Sequence, residues 1–400
     1  MSLCSDRLGR VKPSPTVAVT TRALELRAAG RDVIGLAAGE PDFATPPNVR
    51  RAAKDAIDAG HTRYTAVDGI PELKAAIVSK FARENRLDYA PSEITVANGG
   101  KQVLWNALVA TLDPGDEVVV PAPYWTSYPD MVRLAGGEPV IVATRPEDGF
   151  RITPAGLAAA ISPRTRWLIL NSPANPTGAA YDRHELAGLA EVLLRHEHVW
   201  VLSDDIYEHI VHDGFRFATL AEVEPRLRPR TLTMNGVSKA YAMTGWRIGY
   251  GGGPEPLIRA IRTVQSQTTS NPCSISQWAA VEALSGPQEF VAEARSAFTR
   301  RRDLVLAALG GIEGMVCPRP RGAFYVYAAI DAFIGRASRG GARIGDDEAF
   351  ATALLDEAGV AVVFGAAFGM SPAIRISYAA ADDVLRAACE RIADFCDGLR

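Results

Sequence analysis

The chain has 400 residues, 48% of them apolar and 22% charged, with a formal net charge of −3. This is globular composition, which excludes a disordered or collagen-like chain, and the length allows two or three domains. The near-neutral balance, without a basic block, speaks against nucleic acid or an anionic membrane surface as the main partner. No uncharged run reaches the ~18 residues that span a bilayer, and the first residues hold no apolar stretch resembling a secretory signal. Five scattered cysteines without a CxxC pair read as thiols of a reducing compartment, so a cytoplasmic protein without disulfides or zinc is expected.

In chain order, residues 11–20 carry Pro13 and Pro15 and show no pattern. A helix is expected near 22–29 and a strand over 33–37, running into Gly39-Glu40-Pro41. Such a segment can pack on the C-terminal part of the chain or close over a cleft. Short apolar strands then alternate with helical stretches. The strands are expected at 94–97, 117–120, 140–143, 167–170, 199–203, 231–234 and 246–250. Helical spacing marks 101–112 and 182–195, and Leu257, Ile258, Ile261 and Val264 share one helix face. Strands this apolar between helices predict an α/β sheet, covered on both faces and mostly parallel. After about residue 287, long helices over 289–309, 346–358 and 381–399 enclose strands at 323–329, 360–363 and 373–378, which predicts a smaller α+β domain. Residues 336–345, rich in Gly, Arg and Ser, read as a mobile loop. The expected division is an N-terminal segment over 1–45, a large domain over 46–290 and a small one over 291–400.

Several motifs fall at expected strand ends. Ser238-Lys239 follows the strand at 231–234, with Arg247 eight residues on, expected in the next strand. A lysine held in a cleft loses solvation and becomes nucleophilic, and an arginine nearby can grip a phosphate; the plainer reading is a surface lysine beside a turn. Asp204 and Tyr207, in Ser203-Asp204-Asp205-Ile206-Tyr207, close another strand, where open α/β sheets place ligands. Asp204 can pair with a protonated ring nitrogen. At ~4 Å and an effective dielectric of ~20 that pair is worth about 4 kcal/mol, or roughly three pKa units. A metal ligand or a helix cap is the alternative. Asn98-Gly99-Gly100-Lys101-Gln102 is a strand-to-helix turn whose backbone N–H groups can approach a phosphate, although tight turns use glycine routinely. In NSPANPTG (residues 171–178) the prolines force turns that present Asn175 as a fixed amide, and Trp125 offers a stacking face. If the sheet is parallel, all these groups meet at one edge. The six histidines have no cysteine or carboxylate cluster around them and read as solvated or capping residues.

With these residues in this order, the chain resembles the class I pyridoxal-phosphate aminotransferases of fold type I, nearest the bacterial aspartate aminotransferases of subgroup I-gamma, including those that accept prephenate. The likeness runs over essentially the whole chain: GEPDF (39–43), YTAVDGIPEL (64–73), GGKQ (99–102), PAPYW (121–125), NSPANPTG, SDDIYEH (203–209), NGVSKAYAMTGWRIGY (235–250), GAFYVY (322–327) and RISYA (375–379).

The resemblance implies a mostly parallel seven-stranded sheet in the large domain, with the N-terminal segment packing on the small one. It implies pyridoxal 5'-phosphate as cofactor, with Lys239 forming the internal aldimine and shuttling a proton. By the same resemblance Asp204 partners the ring nitrogen, Tyr207 and Asn175 the ring oxygen, and Trp125 stacks on the ring. Gly99, Gly100, Ser238 and Arg247 resemble the phosphate cup, with Lys101 beside them. Arg375, helped by Asn175 and the backbone at Gly39, resembles the fork for the substrate α-carboxylate. Lys101 stands where a lysine serves a distal carboxylate, joined by Lys12 when the segment closes. Tyr64 corresponds to a tyrosine that reaches the phosphate of a neighbouring subunit, which implies a homodimer with shared sites. The implied reaction is ping-pong transamination between L-aspartate and 2-oxoglutarate, giving oxaloacetate and L-glutamate. The alternative is an aromatic-acid or prephenate aminotransferase on the same scaffold. Two residues depart from the family pattern: Asp205 replaces a common glutamate, and Phe364 stands where a small, polar or imidazole side chain is usual. The second bears on strict aspartate preference.

Overall fold

The computed structural model describes residues 3–400; residues 1 and 2, the start of the segment expected over 1–45, lie outside it. A short strand β1 (Ile34–Gly35) precedes seven strands that form one sheet. These are β2 (Ile94–Ala97), β3 (Glu117–Ala122), β4 (Glu138–Ala143), β5 (Thr165–Asn171), β6 (Trp200–Asp204), β7 (Thr231–Gly236) and β8 (Gly249–Gly252). Their order is β2-β8-β7-β6-β5-β3-β4. All neighbours pair in parallel except β8, which runs antiparallel to both β7 and β2.

Both faces of the inner strands are dry, alternate residues pointing to opposite sides, whereas the edge strand β4 is partly exposed. Val118, Val120 and Ile169 pack with Val103, Leu104 and Leu108 of the helix Gly100–Thr111. Val119, Leu168 and Leu170 pack on the other side with Leu186, Leu189 and Leu193 of the helix Arg183–Leu194. Burying each such side chain contributes about 1.5–3 kcal/mol, which fixes the register of the strands.

The C-terminal part holds β9 (Tyr325–Ala329), β10 (Val360–Ala361), β11 (Val363–Phe364) and β12 (Ala373–Ser377). Strands β11, β12 and β9 form an antiparallel sheet, while β10 pairs in parallel with β1. Helices Glu289–Leu309 and Asp382–Asp397 cover this layer, burying Phe298, Val305, Leu385 and Ile392.

Some sequence expectations change. The strand expected over 246–250 begins only at Gly249; Thr244–Trp246 is a 3-10 turn, and Arg247 takes a left-handed conformation (φ +56°) ahead of the strand. The first long helix spans Pro15–Ala28, because proline in the first helical turn is pre-set for a helix and not a breaker. Strand 360–363 is two short pieces, since β10 serves β1 and β11 serves β12. The loop over 336–345 is tied down: Ser338 donates to Glu357, and Ala337 N–H donates to the Arg400 carbonyl at 2.7 Å. Among the described residues no helix is long and apolar enough to cross a membrane.

Candidate active site

Six strands run the same way and end at one edge, and five of them, β2, β3, β5, β6 and β7, are followed by a motif singled out above. The antiparallel β8 completes the arrangement, because a reversed strand starts where its neighbours finish and so puts Arg247 at the same edge. Between this edge and the C-terminal layer lies a cavity of about 300 Å³. Its walls include Lys239, Asp204, Tyr207, Trp125, Asn175 and Arg375, together with Gly39, Gly100, Lys101, Ser238 and Arg247.

Lys239 is half-buried, and its Nζ donates to the Gly39 carbonyl at 2.7 Å. Burial pushes its pKa down to about 8, and the charge of Glu40 works against that fall. Asp204 is buried at the cavity wall, with its carboxylate held by the Tyr128 hydroxyl and by the Ile206 N–H. Burial raises its pKa to about 6, opposed by the hydrogen bond from Tyr128. Asn171 braces this corner: its amide donates to the Asp204 carbonyl at 2.9 Å, and its Oδ1 accepts from the Asn175 N–H at 2.9 Å. Asp205 turns away to Ser203, and burial raises its carboxyl pKa to about 8.

Arg375 is 2% exposed. Its Nη1 donates to Asn175 Oδ1 at 2.9 Å, Nη2 donates to the Ala37 carbonyl, and Nε has no partner. Arg247 donates to the carbonyls of Thr244 and Asn98. Lys101, exposed at the rim, holds its ammonium 4.7 Å from the centre of the Trp125 ring, and burial followed by the charge of Arg247 lowers its pKa. None of Lys101, Arg247 and Arg375 has an acidic partner among the described residues. A cavity with three unpaired cations is built for anions.

Three of the residues named from the sequence do not line this cavity. Gly99 stands just behind its wall, in a left-handed conformation (φ +88°) where a Cβ would come within 2.4 Å of Arg247 Nη2. Lys12 is exposed and borders grooves beside Pro13 and Pro15, whereas Thr16, in the first turn of the helix, does reach the cavity. Tyr64 is 92% exposed and lies beside Thr269 and Ser270, away from this chain's own site. Phe364 faces the groove shared with Lys12 and Val19. Sequence reasoning passed over Thr16, Tyr128 and Tyr325, all cavity residues. The tyrosines lie inside or beside motifs already quoted, but their hydroxyl partners come from distant strands.

The histidine reading needs correction at two places. His212 is a buried core residue, bonded to Thr299 and Tyr378, and burial pushes its pKa down to about 4. His209 does sit beside two carboxylates, Glu84 and Glu208. The buried Lys80 ammonium, bonded to Glu208, already supplies positive charge there.

A half-buried amine, a buried acid and an anion cradle at the carboxyl edge of a mostly parallel sheet define a pyridoxal-phosphate-dependent enzyme of fold type I. Residues 31–392 match the family described as aminotransferase class I and II, and the chain belongs to that family. It is 68% identical over 399 residues to the aspartate/prephenate aminotransferase of Cereibacter sphaeroides, covering 100% of both chains. It is 56% identical to the aspartate aminotransferase of Rhizobium meliloti strain 1021, over 99% of this chain and 96% of that one. Among solved structures, an aspartate aminotransferase from Rhizobium meliloti superposes with a TM-score of 0.97 at 55% identity, covering 100% of each chain. The aspartate aminotransferase of Thermus thermophilus with maleate gives 0.92 at 46% identity, over 99% of this chain and 100% of that one.

The protein is thus a pyridoxal-phosphate-dependent aminotransferase, and its residues fit the cofactor. The glycine turn leaves the space a phosphate needs beside Arg247, since a side chain at Gly99 would collide with the guanidinium. The buried carboxyl of Asp204 matches a cationic ring nitrogen, and the half-buried amine of Lys239 matches an aldehyde.

Proposed function

We propose that the protein transaminates L-aspartate with 2-oxoglutarate, giving oxaloacetate and L-glutamate in a ping-pong sequence. The observation that carries this reading is the buried Arg375 guanidinium, which has an unpartnered Nε and no acidic partner. A buried cation of this kind calls for a carboxylate, and the planar fork suits the α-carboxylate of an amino acid. Lys101, with Thr16 on the same wall, then meets the second carboxylate of a dicarboxylic substrate. The aspartate relatives and the maleate complex of the Thermus enzyme support a dicarboxylate here.

When bound, pyridoxal phosphate supplies an aldehyde for the substrate amine and a ring that accepts the electron pair left by Cα–H cleavage. Gly100, Ser238 and Arg247 would hold its phosphate, with Gly99 leaving room for the Arg247 guanidinium, and Trp125 would cover its ring. Asp204 would hold a proton on the ring nitrogen, and Tyr207 and Asn175 would donate to the ring oxygen. Lys239, neutral above about pH 8, takes the proton from the substrate Cα and returns it on the other side of the reaction. Arg375 orients the substrate so that this proton faces the amine.

The active molecule in this reading is a homodimer, in which exposed Tyr64 completes the phosphate site of the neighbouring subunit. Residues 46–290 serve as the cofactor domain and 291–400 as the small domain, with 1–45 held to it through the pairing of Ile34 with Val360. The name of the Cereibacter relative supports a second use, with prephenate as amino acceptor. A panel of amino donors against 2-oxoglutarate, oxaloacetate and prephenate tests both. Aspartate and glutamate should head the donors; preference for a neutral aliphatic donor would overturn the reading.

A further inference from the structure

The Tyr207 hydroxyl lies 2.8 Å from the Tyr325 hydroxyl, and both side chains are buried on the cavity wall. Each hydroxyl has one hydrogen to give. The Tyr325 oxygen has no other hydrogen-bond partner among the described residues. Both hydroxyls line the cavity, so the direction of the bond follows from which phenol is the stronger donor, and the Arg375 guanidinium against the Tyr325 ring favours Tyr325. With Tyr325 donating to Tyr207, the hydrogen of Tyr207 is released toward the cavity.

The surroundings hold Tyr325 in place for this. Its ring carries the Arg375 guanidinium 4.7 Å from the centroid, and this cation opposes the rise in pKa that burial imposes on the phenol. Gly39 lies against the hydroxyl so closely that a Cβ there would come within 2.5 Å of the oxygen. The ring also sits edge-on to Tyr207, at 5.8 Å and 82°.

We propose that Tyr325 is a positioning residue: its hydroxyl donates to Tyr207 and so fixes the direction in which Tyr207 donates to the phenolic oxygen of the bound cofactor. The inference rests on the cofactor occupying this cavity. A hydrogen bond to a phenolic oxygen favours its anionic form, so weakening that bond raises the pH at which the cofactor's absorbance changes. Arg375, Asp204 and Lys239, the charged groups around the pair, are unaltered by a change at position 325.

The test is a pH titration of the absorbance of the holoenzyme and three variants. Tyr207→Phe moves the midpoint up, and Tyr325→Phe moves it up by about 0.5–1 unit, the shift expected for one hydrogen bond. The double variant gives the midpoint of Tyr207→Phe alone, since Tyr325 acts only through Tyr207. An unmoved midpoint in Tyr325→Phe, or shifts that add in the double variant, overturns the proposal. Should Tyr325→Phe not fold, 3-fluorotyrosine placed at 325 keeps the shape and makes a stronger donor. The midpoint then falls, and no change counts against the relay. Failure of the unaltered protein to bind the cofactor at all would instead defeat the reading of the site.

Discussion

Lys239 Nζ donates to the Gly39 carbonyl at 2.7 Å, joining residues 200 positions apart in the chain. The amine proposed to do the chemistry is therefore held against the segment between β1 and the large sheet. The same segment is anchored on both sides: the Thr244 hydroxyl donates to Glu40, and Arg301 grips Asp42 with both terminal nitrogens at 2.7 and 2.9 Å. The site is thus assembled from both layers of the molecule.

Capture of the cofactor by the apoprotein reports the state of this amine. Only the neutral form attacks an aldehyde, and burial sets the pKa near 8, below the 10.5 of an ordinary lysine. The rate of reconstitution should rise with pH and level off above about pH 8. A rate still climbing tenfold per unit past pH 9 would show an unperturbed lysine.

Replacing Asp204 by alanine removes the charge proposed to keep the ring nitrogen protonated. The pair is worth about 4 kcal/mol, so the half-reaction with aspartate should slow about 10³-fold. Stopped-flow absorbance measures it, with circular dichroism as the check that the fold survives. A half-reaction within a few-fold of the unaltered enzyme would remove Asp204 from the mechanism.

Lys101 is predicted to act on the distal carboxylate. Loss of one charge-assisted hydrogen bond costs about 1.5–3 kcal/mol, or roughly 10–150-fold in kcat/KM for aspartate in Lys101→Ala. Alanine and phenylalanine, which have no second carboxylate, should lose far less. Equal losses for all three would mean that Lys101 serves the cofactor or the fold.

Much of this was legible because chemistry and topology coincide. Runs such as Val118–Val120 and Leu168–Leu170 are apolar on both faces, which marks buried parallel strands, and the motif residues follow their ends. The direction of β8 was not legible, since Gly249-Tyr250-Gly251-Gly252 carries no orientation signal. The helix from Pro15 was hidden by prolines that read as breakers. His212 looked solvated because its partners, Thr299, Ala323 and Tyr378, lie about 90 to 170 positions away in the chain. Tyr128 and Tyr325 were passed over for the same reason: hydroxyl partners such as Asp204 and Tyr207 are set by packing between strands, which no local pattern records.

The account stands on where the cofactor attaches. Holoenzyme reduced with borohydride and digested should yield a single peptide carrying the reduced pyridoxyl phosphate mass, with the modification on Lys239, and Lys239→Ala should yield none and show no steady-state transamination. Label on another lysine, or turnover retained without Lys239, would contradict it.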